Sequence, residues 1–350
     1  MSLDDLHPVL PLRMNVILPG RPPYELPEQS STRKSYPCMI PTHTLLTENA
    51  LADDFVSSFV ARRLDEKFFY WFPLSVRAWL ALCSDGAYRN FVRSRSLIAR
   101  SANDLADALQ SRSLEVVSLG SGQGDKDLLL LEALAAQDRR VRYVPVDASQ
   151  ALLEMAVAGA LGAGIWSQGI KADFTRPEHL SALAAAADAP PRLVMLLGNT
   201  LGAFDPIVEA RTLRGFLRPE DALLVDGEIY AGGQTVAGYD NPLNRRFAWA
   251  PLHSVGIGES DGAIVFEDVI DDRLQGLHPL RKHFEASRAV AARLGGESLA
   301  IRAGERLAMN HSYKYDAATF VRILDDAGLA VRWRGTSDDE RFQMVLAGPR

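Results

Sequence analysis

Between residues 114 and 230, short apolar runs alternate with stretches whose apolar positions recur at helical spacing. Glu115 to Leu119, Tyr143 to Val146, Gln168 to Ala172, Leu193 to Leu197 and Ala222 to Val225 read as strands. Helical segments lie between them, among them Gln150 to Leu161 and His179 to Ala187. This alternation predicts a mostly parallel sheet covered by helices on both faces.

The flanks follow other rhythms. Residues 1–45 carry eight prolines, from Pro8 to Pro41, that break any long element. They read either as an arm on the folded body or as a leader without structure. Residues 46–110 are helical in pattern, with Leu51, Phe55, Phe59 and Val60, and later Leu97, Leu105 and Leu109, at helix-like intervals. The segment Phe68 to Pro73 is densely aromatic, which suits packing first and a ligand-facing wall second. Residues 231–310 break the alternation. Two strand-like runs, Ala263 to Phe266 and Leu299 to Arg302, sit among arginine-rich pieces and suggest an inserted substrate lobe. Residues 311–350 complete the core with a helix, Asp316 to Ala327, and two strands close enough in sequence to form a hairpin, Leu329 to Trp333 and Phe342 to Leu346. The expected fold class is α/β, a Rossmann-like sheet at 111–230 closed by an antiparallel C-terminal edge strand, with a second, smaller lobe.

Composition narrows the choices. A hydrophobic content of 47% and a charged content of 23% are ordinary for a globular protein. The net charge of -6 argues against nonspecific binding to nucleic acid or to an anionic membrane. The seven histidines lack metal-ligand spacing, so no metal is expected. Cys38 and Cys83 are the two cysteines, which points to a reducing compartment, the cytoplasm by default. No apolar run reaches membrane-spanning length.

The chemistry gathers at the strand ends. The first strand runs into Gly120-Ser121-Gly122-Gln123-Gly124 and then a leucine-rich helix. Such a turn lets the backbone approach a nucleotide-like ligand and presents free N–H groups at the helix start. Asp147, 23 residues after Gly124, stands where a ribose-binding carboxylate is expected. A nicotinamide dehydrogenase and a methyltransferase using S-adenosylmethionine (SAM) both fit so far. The glycine spacing departs from G-x-G-x-x-G. The acid–aromatic pair Asp173-Phe174 and the closing hairpin also favour the methyltransferase. Blander roles compete: Asp147 as a helix cap, Asp173 as a loop residue, Lys126 as a solvated lysine.

Leu119-Gly120-Ser121-Gly122, Lys126, Tyr143 to Ser149, and Leu196 to Gly202 together resemble the histidine-specific methyltransferase family, which includes an ergothioneine-pathway histidine Nα-methyltransferase. Asp173-Phe174, Gly238-Tyr239-Asp240 and Ser312 to Tyr315 extend the likeness over residues 65–350. The resemblance implies SAM as cofactor. It implies that Gly120, Ser121, Gly122 and Lys126 meet the cofactor at the first turn, that Asp147 binds ribose, and that Asp173 and Phe174 meet adenine. Gly198 is then a backbone contact beneath the sulfonium, Tyr70 closes over the cofactor, and Tyr88 lines the substrate.

Departures from the family bear on the acceptor. Where the histidine enzymes place an amino-acid-anchoring asparagine, this chain has Ala203. Where they place an imidazole-binding glutamate, it has Asn310, with Ser312 kept. A site built on hydrogen bonds discriminates strongly once those bonds are gone. The expected acceptor is a small amine, amino acid or derivative other than histidine. Asn199, Asn310 and Ser312 are further candidate substrate contacts, and Tyr88, Glu228 and His311 are candidates for handling the amine proton. A small-molecule O-methyltransferase and a noncatalytic protein that binds SAM or S-adenosylhomocysteine (SAH) are the alternatives.

Overall fold

The computed structural model describes residues 40–86, 88–184, 190–269, 271–294 and 296–350. Most of the proline-rich arm, with Cys38, and the end of the helix read at His179 to Ala187 lie outside the described residues. Among the described residues the central sheet has nine strands. From one edge the order is Thr42–Thr44, Gly169–Lys171, Arg140–Asp147, Ser113–Leu119, Arg192–Leu196, Ala222–Glu228, Phe342–Pro349 and Leu329–Thr336, with the short Trp166–Ser167 paired to Arg140–Asp147. The first six pair in parallel. Phe342–Pro349 runs antiparallel to both its neighbours, so the hairpin closes the sheet with the reversed strand one place inside the edge. The third run, read as Gln168 to Ala172, holds the short strand Gly169–Lys171, and a second short strand, Trp166–Ser167, precedes it.

Alternation along each strand sorts the core onto two faces. Val117, Leu119, Val194, Leu196, Leu223 and Val225 pack with helices Pro206–Phe216 and Ala317–Asp326. Val116, Leu193, Met195, Leu224, Met344 and Leu346 pack with helices Arg89–Ala108, Asp125–Ala136 and Gln150–Gly162. The strand order turns at Ser113–Leu119, which pairs with Arg140–Asp147 on one side and Arg192–Leu196 on the other. A crevice at the carboxyl end of that strand is the place where open α/β sheets bind ligands.

A third core joins two segments far apart in sequence. Leu51, Phe55, Phe59, Phe68 and Phe69, from helices Glu48–Val60 and Phe68–Trp71, pack with Phe247, Trp249, Phe284, Ile264 and Leu307. Those partners come from helix Pro242–Ser254 and from a three-stranded antiparallel sheet, Gly262–Asp268, Leu277–Ala286 and Arg306–Tyr315. A hairpin, Val290–Leu294 with Glu297–Ile301, completes this lobe. The helical stretch 46–110 therefore divides: its first part builds the lobe, while Arg89–Ala108 packs on the central sheet. The aromatic segment is mainly packing, since Phe68 and Phe69 are fully buried.

Arg306–Tyr315 links the two cores. Leu307 and Met309 sit in the lobe, whereas Tyr313 and Tyr315 sit in the core of the central sheet. The bulge between Ala308 and His311 lies midway, and the residues after it pass along the carboxyl ends of the central strands.

Candidate active site

The glycine turn is held from below by the second core strand: the amides of Gly120 and Ser121 donate to the Val146 carbonyl at 2.8 and 3.2 Å. Gly124 adopts φ +78°, and a Cβ there would stand 3.0 Å from Ala156 of the neighbouring helix. Left-handed backbone and close helix approach both call for glycine. Asp147 ends the second strand and is 8% exposed. Its carboxylate accepts from the Gly122 and Ser149 amides, each at 2.8 Å. Ser149, not Asp147, occupies the N-cap position of helix Gln150–Gly162. Burial lifts the Asp147 pKa to about 6 against the pull of those amides.

Two more loops meet the turn. A Cβ on Gly120 would lie 3.4 Å from Thr200 and 3.6 Å from Phe174, so the loops after the third and fourth strands both reach Gly120. Phe174 is buried edge-on against Phe204. The Asp173 carboxylate accepts from Lys67 at 2.8 Å and from the Thr175 hydroxyl at 2.6 Å. Burial raises its pKa, but the Lys67 ammonium outweighs this and holds the carboxyl below its ordinary value. Asp173 thereby ties the third loop to the helical lobe.

Lys126 does not point away into solvent. Its ammonium approaches Gly198 so closely that a Cβ there would be 2.5 Å away, and it sits 5.9 Å from the Phe91 ring. Gly198 also has φ +90°, so both space and backbone exclude a side chain. Asp226 anchors the same turn by accepting from the Gly198 amide at 2.6 Å, the Asn199 amide at 2.8 Å and the Ser94 hydroxyl at 2.5 Å. An acid at a strand's carboxyl end was the signal that could have revealed this role.

Above the turn stands an aromatic wall. Trp79 donates its indole N–H to Gln123 at 3.0 Å, and its ring meets Tyr70, Tyr88 and Phe247 within 6.0 Å. The Tyr70 hydroxyl donates to Glu66 at 3.1 Å. Burial pushes the Tyr70 and Tyr88 pKa values well up, so both phenols stay protonated at neutral pH.

Beside this wall lies a buried polar cluster. One oxygen of Glu228 accepts from Asn90 at 2.6 Å, Lys314 at 2.6 Å and Tyr239 at 3.1 Å. Lys314 also donates to Ser312 at 2.8 Å and to Tyr239 at 2.5 Å. Burial holds the Lys314 pKa below the ordinary lysine value, against the opposing pull of Glu228. A cavity of about 240 Å³ opens on this cluster, with Tyr88, Asn90, Glu228 and Tyr239 among its walls. Asn90, Tyr239 and Lys314 are the functional candidates that reading the sequence missed. Tyr239 and Lys314 were visible there only as parts of family motifs, and Asn90 carried no signal.

Three expected substrate-side residues fall out differently. Asn199, in the left-handed region at φ +61°, donates to the Ser312 hydroxyl and the Tyr313 carbonyl and accepts from the Glu228 amide. With both amide hydrogens engaged, it is a strut between loops and not an acceptor contact. His311 is not brought to Tyr88 and Glu228. Side chains alternate along a strand, so Ser312 and Lys314 face the cluster while His311 turns edge-on to Tyr313, near Phe204. Burial lowers its pKa. Asn310 is 8% exposed and lies near Glu66 and the buried Lys282, and its side-chain oxygen has no hydrogen-bond partner among the described residues.

The model of a family described as histidine-specific, SAM-dependent methyltransferases matches residues 51–242 and 275–349. The chain belongs to that family. A histidine N-alpha-methyltransferase of Mycolicibacterium smegmatis is 32% identical over 152 residues, 39% of this chain and 46% of that protein. The chain thus spans about half the length of that relative. The N-methyltransferase fsqC of Aspergillus fumigatus is 25% identical over 61% of this chain and 60% of its own length. Among solved structures, a SAM-dependent methyltransferase from Clostridium acetobutylicum aligns with TM-score 0.41 and 13% identity, covering 74% of this chain and 91% of that one. Family membership fixes SAM as the cofactor class. The residues fit it: Asp147 offers a buried acceptor beside an open glycine turn, and Lys126 a cation beside Gly198. Among the described residues no acid, histidine or cysteine cluster could hold a metal, and no helix is long and apolar enough to cross a membrane.

Proposed function

We propose that this chain transfers a methyl group from SAM to nitrogen on a small amine, amino acid or derivative, and that histidine is not its acceptor. The observation that carries the reading is the cavity walled by Tyr88, Glu228 and Tyr239, joined to the glycine turn through Trp79, which bonds Gln123 and meets the Tyr88 ring. Bound SAM supplies an activated methyl on its sulfonium. Gly120, Gly122 and Asp147 hold the nucleoside end, and Asp173 with Phe174 the adenine side. Tyr70 and Trp79 cover the turn and keep water from the reacting atoms. Tyr88 stays a neutral phenol and orients the amine by hydrogen bonding. Glu228, neutralised by Lys314 on one oxygen, has a second oxygen on which the departing proton can rest before it reaches solvent.

Histidine lacks its partners at the acceptor end. Ala203 offers no amide, Asn199 has spent its own, and the uncharged Asn310 stands where the histidine enzymes place a glutamate. The test is methyl transfer from labelled SAM across a panel of amines and amino acids that includes histidine. The expected result is label on nitrogen of a panel member and none on histidine. Histidine turnover comparable to the best acceptor, or label on oxygen, overturns the reading. Failure to bind SAH in calorimetry overturns the cofactor assignment.

A further inference from the structure

The cavity walls carry more charge than the transfer reaction uses. Besides Tyr88, Asn90, Glu228 and Tyr239, three arginines line it: Arg89, Arg93 and Arg341. They come from separate places. Arg89 and Arg93 lie one turn apart on the first turns of helix Arg89–Ala108, and Arg341 immediately precedes the last strand. Glu228, the acid in the lining, is already balanced by Lys314 at 2.6 Å. Asp339 balances Arg93 at 2.7 Å. Arg341 bonds the neutral Gln234, which leaves its charge uncompensated by that contact. The lining is therefore cationic in a chain whose net charge is -6.

Guanidinium groups that line one half-enclosed space repel one another. An oxyanion placed between them reverses the sign and gains charge-assisted hydrogen bonds from planar forks suited to carboxylate and phosphate. We propose that Arg89, Arg93 and Arg341 form an oxyanion subsite, so that the methyl acceptor carries a carboxylate or phosphate at the arginine end of the cavity and its amine at the Tyr88–Glu228 end. This rests on the reading of the cavity as the acceptor site, and it narrows the acceptor from a small amine to an acidic one.

The experiment is calorimetry on the SAH-loaded protein with three probes: glutarate, inorganic phosphate and the neutral glutaramide. Glutarate or phosphate should bind, more weakly as salt is raised, and glutaramide should not. The anion that binds more tightly identifies the acid. In Arg89→Ala/Arg341→Ala, with its melting temperature checked against wild type, anion affinity should fall tenfold or more, the scale of one lost charge-assisted hydrogen bond. Equal binding of glutaramide, no anion binding at all, or undiminished binding by the folded double variant overturns the proposal. Anion binding without methyl transfer to any amine removes the catalytic reading and leaves the subsite. Transfer to neutral amines with no preference for acidic ones does the reverse.

Discussion

Lys314→Met tests the buried cluster most directly. It keeps most of the side-chain length and removes the charge that faces Glu228. At 2.6 Å the pair's Coulomb attraction is about 6 kcal/mol with an effective dielectric near 20. Lys314 is fully buried and Glu228 5% exposed, so desolvation of both ions offsets most of that attraction. The pair's net contribution is therefore small. Removing one partner alone is different, because it leaves a buried carboxylate without its cation, at a cost of about 3–5 kcal/mol. Asn90 and Tyr239 still donate to Glu228, which places the expected loss near the lower end, about 3 kcal/mol. Denaturant unfolding of wild type, Lys314→Met and Lys314→Met/Glu228→Gln reads it as a shift in midpoint. Neutralising the stranded acid should bring the double variant back to within about 1 kcal/mol of wild type. A single variant that loses less than about 1 kcal/mol, or a double variant no better than the single, refutes the reasoning.

Asp147→Ala should weaken SAH binding by about 1–3 kcal/mol in calorimetry without unfolding the chain. In wild type, SAH affinity should decline as pH drops below about 6, because the buried carboxylate takes up a proton there and loses an acceptor site. Gly198→Ala should lower SAH affinity or stability by at least about 1 kcal/mol, since it forces φ +90° on alanine and drives a methyl into the Lys126 ammonium. Glu209 is buried, close to Asp173, and its pKa is raised by burial to about 7. A folded-state pKa above the unfolded one gives a stability contribution that is full below about pH 4.5 and lost as pH rises through about 7. Glu209→Gln should accordingly stabilise the protein at pH 8, by about 2–3 kcal/mol, and have little effect near pH 4, read by thermal or denaturant unfolding at the two pH values.

The inner strands of the central sheet were legible in the sequence, but its polar edge strand Thr42–Thr44, inside the proline-rich stretch, was not. The inner strands are local apolar runs, and the acids and glycines proposed to serve the cofactor sit at their ends, within reach of period and turn rules. Gly120 to Gly124, Asp147 and Gly198 were all legible in this way, because each role follows from a backbone position. The lobe was not. Its core joins Phe55 and Phe69 to Phe247 and Phe284, and no local pattern reports contact across that distance. Strand Leu277–Ala286 escaped notice because its buried positions, on its two faces, include the polar Lys282 and His283, which break the apolar rhythm. Only the tertiary structure decided which face of Arg306–Tyr315 meets the site. Strand parity aims Ser312 and Lys314 into the cluster and turns His311 away, and loop packing spends the amide of Asn199 inside the protein. The proposed cofactor contacts follow the backbone and are written locally, whereas the walls of the proposed acceptor cavity come from residues 88–93, 228–239 and 341, which only folding brings together.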